Sequence, residues 1–249
     1  MTNPSTPRAA SCAAALLLLA PSVQADFIVD AVVDADAYVG HGGDNNVNYG
    51  AASTLDITRW INNFLGNSDK AWIRFDLNGA TPGTITDAVF SLTLADETAR
   101  FGVFDFEVYG LNEGVAGEAP AGSGGWDEAT ITGSNAPGNV VTSTFEVDAA
   151  ETTLLGTFTK PVFNNQAGQS VGITAGAGSD LVNFLNADTN GVVTLIVVRT
   201  TEDNRPNLFA SKENGTVDGP SLTLTVPEPG SMGLAALAGA VLLQRVRSK

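Results

Sequence analysis

The residues best equipped for chemistry lie in two short stretches. In Lys70-Ala71-Trp72-Ile73-Arg74, an extended backbone would place Trp72 between two cations on one side of the chain. A flat indole face beside a guanidinium that can make two parallel hydrogen bonds is suited to a ring-shaped ligand carrying a carboxylate. The same pattern is also ordinary strand behaviour, in which Trp72 packs beneath a loop or second sheet and Lys70 and Arg74 pair with nearby acids. Tyr49, Trp60 and Tyr109 offer further flat faces. In Asp44-Asn45-Asn46-Val47-Asn48, oxygen-bearing side chains stand at alternate positions, the spacing of a calcium loop. An EF-hand is excluded, because Tyr49 stands where that loop turns on glycine and no bidentate Glu follows. What remains is a looser calcium site on Asp44, Asn46 or Asn48, or a cluster of turn formers.

Familiar catalytic kits are largely missing. Histidine occurs once (His41) and cysteine once (Cys12), so Cys/His zinc sites, Cys–His dyads and disulfide frameworks are ruled out. His41, within Gly40-His41-Gly42-Gly43, is expected in a solvated loop. Asp127 and Glu128 are adjacent, and on a strand they would face opposite ways and could not flank one scissile bond. Ala121-Gly122-Ser123-Gly124-Gly125 lacks the first glycine of a nucleophile elbow and has no strand-to-helix context. The net charge is −15, from 12 Lys+Arg against 27 Asp+Glu. That argues against nucleic acid or an anionic membrane surface as a partner.

Period-2 alternation dominates the elements that would position these residues. It predicts half-buried strands at 71–77, 88–94, 104–109 and 222–226. Val192 to Val198 is apolar on both faces and reads as a central strand. Ser179 can cap one short helix near 180–187, with Leu181, Phe184 and Leu185 on one face. Gly/Asn/Asp/Pro clusters separate the strands, and no linker divides the body. The expectation is an all-β protein, a single β-sandwich of antiparallel strands.

The two ends read as addresses. Residues 1–25 carry Arg8, an apolar run from Ala9 to Ala20 and the small-residue site Val23-Gln24-Ala25, the parts of a signal peptide. At the other end, Pro227-Glu228-Pro229 precedes the apolar run 231–243 and a cluster of Arg245, Arg247 and Lys249. This order of parts over 227–249 resembles the PEP-CTERM sorting signal of Gram-negative bacteria. The resemblance implies export, transient inner-membrane anchoring through the tail, cleavage by an exosortase, and a destination at the cell surface or extracellular matrix, often with exopolysaccharide. The remaining body, 26–226, holds 8 basic and 26 acidic residues, a net of −18.

Within that body, six segments occur in a recognisable order. They are Asp36-Ala37-Tyr38-Val39 with Asn48-Tyr49-Gly50, Lys70 to Leu77, Ile85 to Ala88, Gly125-Trp126-Asp127-Glu128-Ala129-Thr130-Ile131-Thr132 with Asn135-Ala136-Pro137, Phe209 to Glu213, and Pro220-Ser221-Leu222. Together they resemble the DNRLRE (disaggregatase-related) domain, which is similar to carbohydrate-binding module family 96. The resemblance implies a jelly-roll sandwich that is usually non-catalytic and binds extracellular polysaccharide. Two positions depart from the family pattern: Gly133 replaces an aromatic, and Gly172-Ile173-Thr174 replaces Asp-Val-Thr. On this reading Tyr49, Trp60, Lys70, Trp72 and Arg74 are the candidate glycan contacts, and the Lys70/Trp72/Arg74 group would suit a uronate. Trp126 is expected in the core. The alternatives are a structural biofilm protein without glycan specificity and, on a distant convergence of acids, a polysaccharide lyase or hydrolase.

Overall fold

The computed structural model describes residues 26–64, 66, 68–80, 84–95, 102–162 and 167–227. The first strand organises the rest. β1 (Asp26–Gly40) is long enough to serve two sheets, and its register shifts between Val33 and Ala35. Asp26 to Ala31 pair with β10 (Ser221–Pro227), and from Val32 onward the strand pairs with β3 (Asp69–Asp76), the shift falling just inside this second ladder. An irregularity of this kind bends a strand and re-aims it, which lets one chain segment leave one layer and enter the other.

Around β1 the strand order is β6-β5-β8-β3-β1-β10-β4-β7, all antiparallel. The other members are β4 (Asp87–Thr93), β5 (Phe104–Leu111), β6 (Thr152–Lys160), β7 (Ser170–Ala175) and β8 (Val192–Arg199). β2 (Thr54–Asp56) and β9 (Leu208–Ala210) form a small separate ladder. The large sheet curls until its end strands β6 and β7 lie against each other. This is the expected all-β sandwich. Its one helix, α1 (Asp180–Ala187), is capped as predicted by the Ser179 side chain, which accepts from the Val182 N–H at 3.3 Å. Leu181, Val182 and Leu185 are its buried residues, and Phe184 is only partly covered.

The main core lies between the layers. Ala71, Ile73 and Phe75 of β3 point into it, as the alternation predicts, and β8 is buried along its whole length. Phe75 meets Phe90 edge-on at 6.2 Å, and Phe106 stacks on Phe158 at 4.9 Å.

The opposite face of β3 follows the packed reading and not the glycan-contact one. Lys70, Trp72 and Arg74 do not face water, because the segment between β5 and β6 folds across them. Trp126, Ile131 and Ala136 from that segment join Ala35, Ala37, Val39, Trp72, Ile196 and Val198 in a second core. Trp72 is wholly buried and its indole N–H donates to the Pro137 carbonyl at 2.9 Å. The Lys70 ammonium donates to Asn139 Oδ1 (3.0 Å) and to the carbonyls of Glu146 (2.6 Å) and Val140 (3.3 Å). Arg74 Nε donates to Asp34 at 2.7 Å, and its guanidinium donates to the Trp126 carbonyl and stands 4.9 Å from the Trp126 ring. Period-2 patterning separates two faces but does not distinguish water from a covering loop rich in free carbonyls.

That covering segment corrects two further expectations. Residues 126–132 are a chain of turns and not a strand: Asp127 Oδ1 accepts from the Ala129 N–H at 2.8 Å and its carbonyl from Ile131 N–H at 2.8 Å. A carboxylate that captures the N–H two residues on competes with sheet pairing. The segment also sits close to the end of β1, and a Cβ at Gly133 would lie 2.1 Å from the Gly40 carbonyl. An aromatic has no room there, which accounts for the family departure at that position. His41 is buried and not solvated. Its Nδ1 lies 2.9 Å from the Ser68 carbonyl, and burial beside Lys70 lowers its pKa to about 4. Trp126 is in the core as expected, its indole N–H on Thr194 Oγ1 at 3.0 Å.

Among the described residues no helix is long and apolar enough to cross a membrane. The signal segment 1–25, the run 231–243, and Glu228, Pro229, Arg245 and Arg247 lie outside the described residues; Pro227 ends β10.

Because Trp72 holds the second core together, Trp72→Ala should cost ~3–5 kcal/mol of stability in urea unfolding. Trp72→Phe, which keeps most of the packing but leaves the Pro137 carbonyl unpaired, should cost ~1–3 kcal/mol. A Trp72→Ala loss below ~0.5 kcal/mol, the size of an ordinary surface change, would contradict this placement.

Candidate functional site

A polar cavity of about 350 Å³ opens at the Gly40 end of β1, where several loops meet. Three aromatic side chains border it. Tyr38 comes from β1, where its inward neighbours Ala37 and Val39 turn it outward; Tyr49 and Trp60 come from the connections on either side of β2. Tyr38 and Tyr49 stack, with ring centroids 4.2 Å apart and planes 14° from parallel. Such a pair gives a rigid flat wall with two phenolic hydroxyls at its edge.

Three carboxylates converge on the same space. Asp44 ends the single 3₁₀ turn Gly42–Asp44, Asp56 ends β2, and Asp69 begins β3. Burial pushes the Asp69 carboxyl up to about 8, with Asp56 and then Asp44 adding repulsion; no cation acts on it appreciably. At neutral pH it therefore carries a proton and can donate as well as accept. Burial and the aspartates also push the Tyr38 and Tyr49 hydroxyls upward, so both stay protonated. Thr58 Oγ1 donates to Asp56. Flat faces ringed by hydroxyls, carboxylates and a neutral carboxylic acid can hold a ring bearing many hydroxyl groups.

The sequence-derived candidates divide between this cavity and the interior. Asp44, Tyr49 and Trp60 come together in it. Lys70, Trp72 and Arg74 lie in the covered second core, so the cationic stacking plane is not a surface of the molecule. Tyr109 donates to Glu107 at 2.7 Å on β5. Asn46 and Asn48 act as fasteners for the covering segment. Asn46 Oδ1 accepts from the Ser134 hydroxyl at 2.7 Å, and Asn48 Nδ2 donates to the Glu128 and Ile131 carbonyls at 2.8 and 2.7 Å. Where Asn48 holds that segment, a Cβ at Gly50 would lie 2.0 Å from the Glu128 carbonyl, so only glycine permits the approach.

Sequence reasoning missed Tyr38, Asp56 and Asp69. Tyr38 carried a usable signal, since it alternates with Ala37 and Val39 at a strand end. Asp56 and Asp69 carried none, because they reach the cavity only through the pairing of β2 with β9 and of β3 with β1.

Family models match two stretches of the chain. Residues 225–248 match the PEP-CTERM protein-sorting motif, which indicates export and sorting to the envelope of a Gram-negative cell. No curated protein matches the chain. Residues 28–175 match the model of carbohydrate-binding module family 96, a span that includes all six cavity residues named above. More than half of the chain is covered by that match, and the protein belongs to carbohydrate-binding module family 96.

Proposed function

We propose that this chain is an exported, non-catalytic glycan-binding protein that holds an extracellular polysaccharide in the Tyr38/Tyr49/Trp60 cavity. The observation that carries the proposal is the stacked tyrosine wall facing Asp44, Asp56 and Asp69 across one cavity. The ligand class follows from charge. Lys70 and Arg74 are committed to interior partners, and the cavity and the −18 body both repel a polyanion, so a neutral glycan is favoured over a uronate. The PEP-CTERM motif supports delivery by an exosortase, with transient anchoring of the tail in the inner membrane and release to the cell surface or matrix.

A hydrolytic reading has one observation in its favour. Asp69 is held protonated beside Asp44 and Asp56, and glycosidases use carboxyl groups in opposite protonation states. Incubating purified residues 26–227 with the bound glycan and assaying new reducing ends or unsaturated products separates the two: a binding module leaves the glycan intact, and catalytic turnover would overturn the non-catalytic reading.

On a glycan array, residues 26–227 should bind neutral glycans, and Trp60→Ala or Tyr49→Ala should weaken binding about tenfold or more, ~1.4 kcal/mol. Absence of binding to every neutral and acidic glycan would sink the proposal and leave the structural biofilm role.

Asp69 also predicts a pH dependence. Its folded value of about 8 lies above the ordinary 3.8, so between these limits the folded state holds a proton that the unfolded state releases. The stability from this proton is fully present below about pH 3.8 and is lost as pH rises to about 8. Asp69→Asn removes that loss, so the variant's melting temperature minus the wild type's should climb from pH 4 to 8 and level off above. A difference independent of pH would contradict the buried, protonated state.

A further inference from the structure

A second cavity, of about 300 Å³, runs along α1 from Asp180 to Asp188, beside the chain that leaves β5. Glu113, Glu118 and Asp188 line it, and each can offer a carboxylate oxygen so that the three lie within 4.8 Å of one another. Glu118 and Asp188 are only 3% and 6% exposed.

Neutral groups satisfy most of these oxygens. Thr189 Oγ1 and Asn190 Nδ2 donate to Glu113 Oε1 at 2.7 and 3.3 Å, and Thr189 N–H donates to Glu113 Oε2 at 3.3 Å. Asn190 Nδ2 also donates to Glu118 Oε2 at 2.9 Å, and Gly191 N–H to Asp188 Oδ2 at 2.7 Å. The other Asp188 oxygen, Oδ1, is buried without a well-formed hydrogen bond, the Asn190 and Val192 N–H groups near the carboxylate adding only partial support. Burial raises the pKa of both Glu118 and Asp188, Glu113 adds repulsion to each, and no basic side chain acts appreciably on either. A buried carboxylate oxygen without a well-formed hydrogen bond, next to two more carboxylates and no cation, is a costly arrangement unless a positive charge completes it.

The contrast with another acidic trio is instructive. Asp36, Glu128 and Glu213 also converge, and Asp36 Oδ1 is likewise unpartnered. There the Lys212 ammonium already bridges Glu128, at 2.9 Å, and Glu213. Among the described residues the Glu113 trio has no such lysine.

We propose that Glu113, Glu118 and Asp188 bind a calcium ion. All-oxygen ligation by carboxylates suits a hard divalent cation, and Ca–O bonds of ~2.4 Å set ligand oxygens at most about 5 Å apart. Calcium sheds water and tolerates irregular shells more readily than magnesium. The ion would tie residues 113–118 to the 188–191 turn, anchoring the start of the segment that crosses over Trp72. This site is separate from the Asp44 loop and from the glycan cavity, so its success or failure is independent of the glycan proposal.

Calorimetric titration of the full-length chain with calcium chloride should show one site with a dissociation constant of ~10⁻⁴–10⁻³ M, the range of extracellular modules. Calcium should raise the melting temperature above that in chelator, and magnesium at the same concentration should do so less. Glu113→Gln, at an exposed position, should weaken calcium binding at least tenfold, whereas Glu213→Gln should leave it unchanged. In chelator, Asp188→Asn should melt no lower than wild type, because a buried like charge is gone, and in calcium the order should reverse. No binding to wild type at about 10 mM calcium, an equal response to magnesium, or an undiminished response in Glu113→Gln would each overturn the assignment.

Discussion

The burial of two cations on the outer face of β3 is the constraint on which the rest of the structure depends. Lys70 and Arg74 are removed from water, and each must find oxygen partners or lose its charge. Asp34 of β1 supplies one, and the rest come from the segment between β5 and β6: the carbonyls of Trp126, Val140 and Glu146 and the Asn139 amide. Burial pushes the Lys70 pKa down to about 7, with Glu146 opposing the shift, a measure of how completely that segment excludes water. The long excursion between β5 and β6 is fixed by two cationic heads and two tryptophans.

The same fixation shapes the cavity. His41 is wedged between Ser68 and Asn139, and Asn46 and Asn48 hold the edge of the covering segment at Ser134, Glu128 and Ile131. With that edge immobile, the turn bearing Asp44 and the loop bearing Tyr49 are held against Tyr38 and Asp69. A preformed site of this kind loses little conformational freedom on binding. On the proposed reading, the acids that make it polar favour hydroxyl groups over carboxylates.

Local pattern carried much of the fold. The alternation in 71–77, 88–94 and 104–109 and the apolar run 192–198 fall on β3, β4, β5 and β8, and the Ser179 cap starts α1. The full length of β1 was less legible because its register shift breaks the period near Val33, and glycines at 156 and 172 interrupt β6 and β7. At Trp72 the pattern identified the face but left its environment open between water and a covering loop, and the structure shows the loop. For the site, Asp44, Tyr49 and Trp60 were visible as residue types, but their convergence with Asp56 and Asp69 is a product of strand pairing across the whole body. The second acidic cavity was invisible for the same reason: Glu113 and Glu118 meet Asp188 only after β5 and β8 pair.

The stacked tyrosines, Trp60 and the aspartates are the proposed glycan contact surface. The most direct test is an NMR titration of residues 26–227 with a neutral oligosaccharide found to bind, following the aromatic ring resonances. Saturable shifts confined to Tyr38, Tyr49 and Trp60, with Trp72 and Trp126 unchanged, are the predicted result. Saturable shifts centred on other residues, with these three rings unaffected, would contradict the account.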